Sequence, residues 1–522
     1  MYPGRYAATH PDRPAVHEAA TGRVITYREL EDNSVRFAHW LRAHDVGAGD
    51  HIAVITVNDA TVYELYWGAI RSGVYITFVN SHLAAAEAAY VVDDCDAKIL
   101  VVSAPLASLA AEVVDSTPKV QHRIAFGGSI PGHLDYESEV AGLPAVPPTD
   151  QPRGSDMLYS SGTTGRPKGI KPRLSGVQID EDPGIPLIGM MRHLGFGDDT
   201  VYLSPAPIYH SAPLRYSVLT QALGGTVVLM ERFDAEQALE LIERYRVTHS
   251  QWVPTHFVRL LRLPEEVRNK YDLSSLRCAV HSAAPCPVEV KQRLIEWWGD
   301  IVYEYYSATE AIGSTLITPQ EWLRKPGSVG RTGGPGSSGI AHICDGDGTE
   351  LAAGRAGTVY FEKPVQNLEY HKDPVKTESA RHPFEKNWAT NGDLGYLDAD
   401  GYLFLTGRDK FTIISGGVNI YPQEIENILA LHPVVGDVAV VGVPDADRGE
   451  RVEAFVRPAD GVDPSDELER EIIDFCHERL SKFKCPRKVR FVDALPRTAT
   501  GKMVKGALQD LIADAAGAGT SG

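Results

Sequence analysis

The sequence predicts an α/β protein whose large N-terminal domain stacks several α/β subdomains and carries a small β-rich subdomain, followed by a small α+β C-terminal domain. The 522 residues exceed the roughly 250–300 at which one hydrophobic core stops growing, so more than one domain is expected. Strand-like apolar runs alternate with helical patterns, which favours layered and mostly parallel sheets. The pattern restarts near residue 410, so the predicted domains are 1–409 and 410–522.

The predicted elements of the N-terminal domain follow from period and length. Continuous apolar runs at 52–57, 98–102 and 225–230 are typical of buried strands. Apolar spacing at 235–247 and 288–298 predicts amphipathic helices. Residues 329–362 consist of short segments between Gly-rich turns, which predicts the small β-rich subdomain.

The C-terminal region also alternates predicted strands and helices, over a shorter length of chain. Residues 401–410 read as a short strand that runs into a turn. After them we predict a helix at 422–431, a strand at 438–443, a helix at 465–480 and a strand at 489–492. A unit of roughly 110 residues is large enough for a separate domain.

Composition excludes several classes of protein. The net charge of −18 disfavours nonspecific binding to nucleic acid and to anionic membranes. The start of the chain lacks a basic-then-apolar signal pattern, and no apolar run approaches the ~18 residues of a membrane span. Six cysteines without CxxC spacing predict reduced structural thiols and a cytoplasmic location. The oligomeric state, monomer or homodimer, is left open.

One short segment has the composition of a polyphosphate-binding loop. Glycines let the backbone approach a ligand closely, and successive N–H groups form anion-binding concavities. Hydroxyls add donors and a lysine adds a point charge. The candidate ATP-binding residues here are Ser160, Ser161, Gly162, Thr163, Thr164, Gly165 and Lys168. Lys168 follows a proline, so the segment is not a Walker A loop.

Further motifs follow this loop in a definite order. They are Tyr209–Pro213, Ser282–Pro285, Tyr305–Glu310, Thr390–Asp393, Gly407–Lys410, Ile414–Gly417 and Pro496–Lys502. Together with the loop, they resemble the adenylate-forming superfamily of acyl-CoA synthetases, peptide-synthetase adenylation domains and luciferases, and most of all bacterial fatty or aromatic acyl-CoA synthetases. The resemblance covers nearly the whole chain.

The resemblance implies an acid–thiol ligase with ATP, Mg²⁺ and coenzyme A. A carboxylate attacks the α-phosphate of ATP, which gives an acyl-adenylate and pyrophosphate, and coenzyme A then displaces AMP. By resemblance, Glu310 holds Mg²⁺, Thr309 contacts the α-phosphate, and Tyr306 stacks on adenine. The purine pocket is completed by Ala283, Ala284, Pro285 and the backbone of Glu304 and Tyr305, and the ribose is bound by Asp393 and Arg408.

The remaining assignments also rest on the resemblance. Lys502 bridges the carboxylate and the α-phosphate during adenylation, and His210 gates or orients the acid. The C-terminal domain is mobile, with its hinge at Asp409 and Lys410, because Lys502 serves only the first step. Gly416 and Gly417 then approach the coenzyme A or other acceptor.

Departures from the family pattern concern the acid and its acceptor. Ala311, Ile312 and Gly313 replace a Gly-Asn-Gly sequence beside the acyl pocket, and His256 and His281 add polar groups near it. We therefore expect a small or planar acid. The acceptor could instead be an amine, as in amide-bond synthetases, or the enzyme could activate nitrite, as in ATP-dependent diazotases.

Rival classes are a non-catalytic nucleotide-binding protein on this fold, a serine hydrolase and a Rossmann dehydrogenase. Lys168, Glu310, Asp393 and Lys502 are all present, which argues against the first. A serine hydrolase would need a Gly-x-Ser-x-Gly elbow, which the sequence lacks. A Rossmann dehydrogenase would need a strand-to-helix context for its glycines, which the Gly-rich run around residues 330–339 lacks.

Overall fold

A computed structural model describes residues 1–160, 167–408, 411, 413–415, 418–445, 449–497, 503–505 and 507–508. Four larger sheets and one two-stranded hairpin organise these residues. The mixed α/β architecture with a large N-terminal part and a smaller C-terminal part confirms the predicted fold class.

The first sheet has six parallel strands. In spatial order they are Leu134–Asp135, His122–Phe126, Ala97–Ser103, His51–Ile55, Tyr75–Val79 and Ser155–Asp156. The helices of this part of the chain are Gly4–Thr9, Tyr27–Ala43, Thr61–Ile70, Ala85–Asp94, Ala107–Val113 and Tyr136–Ala141. The apolar runs at 52–57 and 98–102 are thus confirmed as neighbouring buried strands.

The second sheet has eight strands, of which the inner ones are parallel and each edge pair is antiparallel. In spatial order they are Ser314–Ile317, Val302–Ser307, Cys278–His281, His249–Trp252, Val201–Ser204, Thr226–Leu229, Pro14–Glu18 and Val24–Thr26. Its helices are Pro186–His193, Ser211–Ala222, Ala235–Tyr245, Pro254–Leu261, Glu265–Arg268, Val288–Trp298 and Pro319–Arg324.

Helix ends in this sheet follow from local chemistry. The Asp234 side chain accepts a hydrogen bond from the Gln237 backbone N–H, which caps the start of the helix at Ala235. Arg246 has a left-handed backbone with φ of 52°, so this helix ends two residues before the predicted position 247. The helix Val288–Trp298 has the predicted bounds and stops at Gly299, whose φ is 79°.

One continuous core joins the first two sheets. Ile52 and Ile76 from the first sheet and Val227 and Val280 from the second belong to the same buried cluster. Every residue of the helix Thr61–Ile70 is buried in this region. The two sheets are therefore stacked layers of one body, as the sequence predicts.

The third sheet is antiparallel and is larger than the predicted β-rich subdomain at 329–362. Its path is Ile340–Cys344, Gly357–Glu362, Asp393–Leu397 and Leu403–Arg408, with Trp388–Ala389 pairing beside it. The helix Pro374–Ser379 lies between its strands in sequence. Two strands from beyond residue 390 complete this sheet, which local pattern alone does not reveal.

The fourth sheet belongs to the C-terminal region. Its strands are Val418–Ile420, Ile413–Ser415, Gly449–Pro458, Val435–Asp445 and Lys488–Phe491, and its helices are Pro422–Leu429 and Asp466–His477. The strand Gly449–Pro458 was not predicted, because charged residues interrupt its apolar pattern. One of them, Glu453, is fully buried and pairs with Arg451 and Arg490.

Among the described residues, no helix combines the length and apolar character that crossing a membrane requires.

Candidate active site

The predicted phosphate loop is flanked by a short antiparallel hairpin. Its strands are Leu158–Ser160 and Lys168–Ile170, and Ser160 lies opposite Lys168. The predicted ligands Ser161, Gly162, Thr163, Thr164 and Gly165 lie outside the described residues. Ser160 and Lys168 mark the two described ends of the loop.

A segment at 369–373 is bonded to this hairpin. The Lys171 N–H donates to the Glu369 carbonyl at 3.2 Å, and the His371 N–H donates to the Gly169 carbonyl at 2.8 Å. The Lys168 ammonium lies 3.7 Å from the Asp373 carboxylate. Backbone pairing and one ion pair therefore fix the base of the loop.

The same segment also reaches the predicted magnesium ligand. The Tyr370 hydroxyl donates to Oε1 of Glu310 at 3.0 Å. Thr309 and Glu310 are both half-buried, so they can meet a ligand. Among the described residues there is no cluster of three or more His, Cys, Asp or Glu side chains that could hold a metal. A carboxylate beside a phosphate loop suits Mg²⁺, which takes one or two carboxylates plus phosphate oxygens and water.

A second pair of elements meets beside this carboxylate. The Tyr306 hydroxyl donates to Oδ2 of Asp393 at 2.6 Å, and the Asn391 amide donates to the same oxygen at 2.8 Å. Tyr306 is the penultimate residue of the strand Val302–Ser307 in the second sheet, whereas Asp393 begins a strand of the third. Arg408 lies opposite Asp393 in the strand register. The structure thus brings together the predicted adenine- and ribose-binding positions.

The turn after Glu310 is held by close packing. The Ser307 hydroxyl donates to the Gly313 carbonyl at 2.9 Å. A Cβ at Gly313 would lie within 2.1 Å of the Phe361 ring, so only glycine fits there. Ile312 is almost fully buried in the core of the third sheet. The sequence placed Ile312 beside the acyl pocket, and the prediction that its side chain reshapes that pocket is wrong, because the side chain packs into this core.

The predicted purine wall presents small side chains. Ala283 and Ala284 are exposed, Pro285 is half-buried, and Ala283 has a left-handed φ of 77°. The Glu304 side chain points away from this wall into the protein, where Nζ of Lys291 donates to it at 2.6 Å. Burial raises the pKa of Glu304 and lowers the pKa of Lys291, and their mutual attraction opposes both shifts.

Two histidines predicted near the pocket lie elsewhere. His281 is fully buried, with its ring 5.3 Å from that of Phe257, and burial holds its pKa well below the usual range. His256 is buried and stacks on Phe233 at 4.1 Å. Both contribute to the core of the second sheet, so the expectation that they add polar groups to the acyl pocket is wrong.

His210 occupies the N-cap of the helix Ser211–Ala222. Its ring lies 4.6 Å from that of Tyr209. Burial, helped by the nearby His82, lowers the pKa of His210 to about 4. The imidazole is therefore neutral at neutral pH and can orient a substrate without adding charge.

Comparison with known proteins decides the family. A model described as "AMP-binding enzyme" matches residues 4–371, and one described as "AMP-binding enzyme C-terminal domain" matches residues 424–502. The chain belongs to the AMP-binding enzymes. It is an ATP-dependent, AMP-forming ligase of the acyl-CoA synthetase type. The reaction of such ligases uses ATP, Mg²⁺ and coenzyme A.

Individual relatives of this AMP-binding enzyme are similar over almost their full length. A fatty acid–[acyl-carrier-protein] ligase of Streptomyces coeruleorubidus is 30% identical, with 97% of this chain and 94% of that protein covered. A 3-[(3aS,4S,7aS)-7a-methyl-1,5-dioxo-octahydro-1H-inden-4-yl]propanoyl:CoA ligase of Rhodococcus jostii is 33% identical, with 93% of each chain covered. The crystal structure of the anthranilate CoA ligase AuaEII with anthranoyl-AMP is 25% identical and superposes with a TM-score of 0.84, covering 98% of this chain and 97% of that one.

Several predicted site residues of this AMP-binding enzyme fall outside the described part of the chain. They are Asp409, Lys410, Gly416, Gly417 and Lys502. The described residues on either side of the Lys502 segment belong to the C-terminal region. Arg497 forms an ion pair with Asp437 at 2.7 Å and pairs with Met503 in a β-bridge.

Sequence reasoning missed three contact residues of the site. Tyr370 and Asp373 contact Glu310 and Lys168, and Asn391 contacts Asp393. Asn391 belongs to the motif Thr390–Asp393 and lies two residues before the predicted ribose ligand Asp393, so the motif indicates its place in the site. Tyr370 gave no signal, because its partner lies 60 residues away in the chain.

Proposed function

We propose that this AMP-binding enzyme adenylates a small or planar carboxylic acid with ATP and transfers the acyl group to coenzyme A. One observation carries the proposal. Four predicted nucleotide ligands from distant parts of the chain are held in two sets of contacts. The segment 370–373 holds Lys168 and Glu310 through Asp373 and Tyr370, and Asp393 accepts hydrogen bonds from Tyr306 and Asn391. A non-catalytic fold would not need this convergence of charge.

The nucleotide roles follow from the chemistry of each group. Asp393 offers carboxylate oxygens that suit the ribose hydroxyls, and Arg408, opposite it in the strand register, would donate to the same sugar. The Tyr306 ring offers a face for adenine, against the small side chains of Ala283 and Ala284. Thr309 and the Lys168 loop donate to phosphate oxygens. Glu310 would hold Mg²⁺, which supplies charge stabilisation to the phosphates.

The acid would lie beside the start of the helix Ser211–Ala222. No general base is needed, because a carboxylic acid is already ionised at neutral pH. Neutral His210 would orient the carboxylate toward the α-phosphate. Two of the relatives are ligases named for anthranilate and for a dioxo-indenyl propanoate, which are compact ring-bearing acids.

The second step would require a domain movement. Lys502 would neutralise the charge that builds between carboxylate and α-phosphate. The domain 410–522 would then rotate about Asp409 and Lys410, and Gly416 and Gly417 would approach the thiol. All six cysteines are buried and free, which supports a cytoplasmic location for these reactions.

An assay of products tests the proposal directly. Pyrophosphate and AMP release are measured with ATP and a panel of carboxylates, with and without coenzyme A, an amine or nitrite. We expect acid-dependent pyrophosphate release, with AMP turnover that requires coenzyme A. Turnover that depends on nitrite or on an amine alone would contradict coenzyme A as the acceptor. If no acid gave pyrophosphate release, the proposed adenylation would be contradicted.

Two variants separate the half-reactions. Lys502→Ala should abolish adenylate formation and largely spare the conversion of a supplied acyl-adenylate. Lys410→Pro should damage mainly the second step. Equal loss of both steps in either variant would contradict the domain movement.

A further inference from the structure

The helix Ser211–Ala222 is buried on all but one face. Nine of its twelve residues are buried, and the remaining three are Ser211, Ala212 and Arg215. Residues at positions i, i+1 and i+4 share one side of a helix. This side begins next to His210, so the arginine stands about one helical turn from the proposed position of the acid's carboxylate.

Arg215 is fixed by a carboxylate from the other sheet. Its Nε and Nη2 both donate to Oδ2 of Asp156, at 3.0 and 2.8 Å. Asp156 ends the edge strand Ser155–Asp156 of the first sheet. The ion pair thus spans the junction of the two stacked sheets, with 25% of the Arg215 side chain and 11% of the Asp156 side chain exposed.

The second sheet closes this position from the other side. Tyr305 is buried, and its ring lies 6.0 Å from that of Tyr216, the residue that follows Arg215 on the helix. Successive strand residues point to opposite faces. Tyr305 therefore lies on the strand face that meets the helix Ser211–Ala222, whereas Tyr306 faces the nucleotide side.

One edge of the Arg215 guanidinium has no partner in the part of the chain that the structure describes. Within the described residues, no hydrogen-bond acceptor meets Nη1 of Arg215, although Nε and Nη2 are both satisfied. We propose that Arg215, held by Asp156, is the specificity-determining end of the acid-binding cleft and selects acids that carry a carbonyl or hydroxyl oxygen away from the reacting carboxylate. The inference rests on the proposed function, since it concerns the acid of that reaction.

The chemistry favours a neutral oxygen. A hydrocarbon tail placed over Nη1 would remove water from a charged donor and give it no acceptor, which is costly. A carbonyl or hydroxyl oxygen restores the hydrogen bond. A second carboxylate gains less, because Asp156 already neutralises the Arg215 charge. Sites built to bond a polar group discriminate strongly against analogues that lack it.

Matched pairs of acids test this selection. Initial rates of pyrophosphate release give kcat/KM for hexanoate and 5-oxohexanoate, cyclohexanecarboxylate and 4-oxocyclohexanecarboxylate, and benzoate and 3-hydroxybenzoate. We expect the wild type to prefer the oxygenated acid about 10- to 100-fold in the best pair, the range of one hydrogen bond to a charged group. Equal rates, or a preference for the hydrocarbon acid in every pair, would overturn the inference.

A neutral double variant shows whether Arg215 causes the preference. In Asp156→Asn/Arg215→Met the ratio of kcat/KM between the oxygenated and the hydrocarbon acid should fall to about threefold or less. The matched control is Asp199→Asn/Arg277→Met, which removes an exposed ion pair of 2.8 Å between residues that precede two strands of the second sheet and should leave the ratio unchanged. An unchanged ratio in the first double variant would overturn the inference.

Two further outcomes are also decisive. If thermal melting shows the double variant to be unfolded, Arg215→Lys takes its place in the test. This variant keeps the positive charge but lacks Nη1, and the same fall in the kcat/KM ratio is expected. Pyrophosphate release with all acids but without selection would overturn this inference alone. No release with any acid would overturn the proposed function and this inference with it.

Discussion

Replacing Lys291 by methionine leaves one of the most buried carboxylates of the protein without its cation. The Lys291 side chain is 0% exposed and the Glu304 side chain 6%, with Nζ and Oε2 2.6 Å apart. Burial is the largest cause of the raised pKa of Glu304 and of the lowered pKa of Lys291. Removing one partner of such a pair typically costs about 3–5 kcal/mol. At roughly 2 °C per kcal/mol for a large domain, the melting temperature should fall by about 6–10 °C.

The loss should depend on pH with a defined sign. In Lys291→Met, folding raises the pKa of Glu304 above its unfolded value, so the folded state binds a proton that the unfolded state releases. Stability therefore falls as pH rises above about 4.5, the ordinary glutamate value. The neighbouring His281 and Cys286 do not compensate, because burial keeps both uncharged. The deficit should be smallest near pH 5 and largest near pH 8.

A double-mutant cycle measured by thermal unfolding checks this reasoning. Lys291→Met/Glu304→Gln should recover much of the loss, since no unpaired charge remains. The matched control is Lys270→Met, whose fully exposed ammonium lies 3.1 Å from Glu236 and whose loss should hardly change the melting temperature. A Lys291→Met protein that melts within 1 °C of the wild type at pH 8, or whose deficit is the same at pH 5, would refute it.

Four other variants or profiles give independent tests. Burial raises the pKa of Glu64 to about 7, so the wild type loses stability relative to Glu64→Gln as pH rises from 5 to 8. Chemical denaturation should show Glu64→Gln to be more stable by up to about 3 kcal/mol at pH 8. A difference that does not depend on pH would contradict this. Tyr306→Phe removes the 2.6 Å bond to Asp393 and should raise the KM for ATP roughly tenfold, with the KM for the acid unchanged in the same steady-state assay. Because the pKa of His210 is held at about 4, its imidazole does not change charge between pH 5.5 and 8. The pH profiles of kcat/KM for the wild type and for His210→Ala should therefore have the same shape over this range. Lys502→Ala should lower single-turnover pyrophosphate formation at least 100-fold, as expected for a lost charge at the reacting centre, while binding of ATP measured by calorimetry persists.

Strong local patterns predicted much of the fold. The parallel strands His51–Ile55 and Ala97–Ser103 follow from continuous apolar runs, and the helix Val288–Trp298 follows from its period and its glycine stop. The strand Gly449–Pro458 did not follow, because its charged residues look exposed in sequence. Glu453 is nevertheless buried, since arginines from its own strand and from the strand Lys488–Phe491 neutralise it.

Site residues were predictable where a motif marks them, and side-chain directions were not. The meeting of Tyr306 with Asp393 follows the order of motifs along the chain. The buried orientations of His281 and Ile312 depend on which face of a strand or turn meets the core. Tyr370 was invisible for another reason, since only the pairing of residues 369–371 with the loop hairpin brings it to Glu310.

The alternation of Tyr305 and Tyr306 along one strand has a consequence for how new activities arise. Tyr306 packs toward Phe361 in the third sheet, while Tyr305 packs toward Tyr216 on the opposite face. A mutation on the Tyr305 face can reshape the acid's surroundings while leaving the Tyr306–Asp393 hydrogen bond intact. Such an arrangement lets proteins that descend from one gene change their acid specificity while the ATP-binding site stays the same. For protein engineers, it defines the Tyr305 face as the side to randomise and the Tyr306 face as the side to preserve.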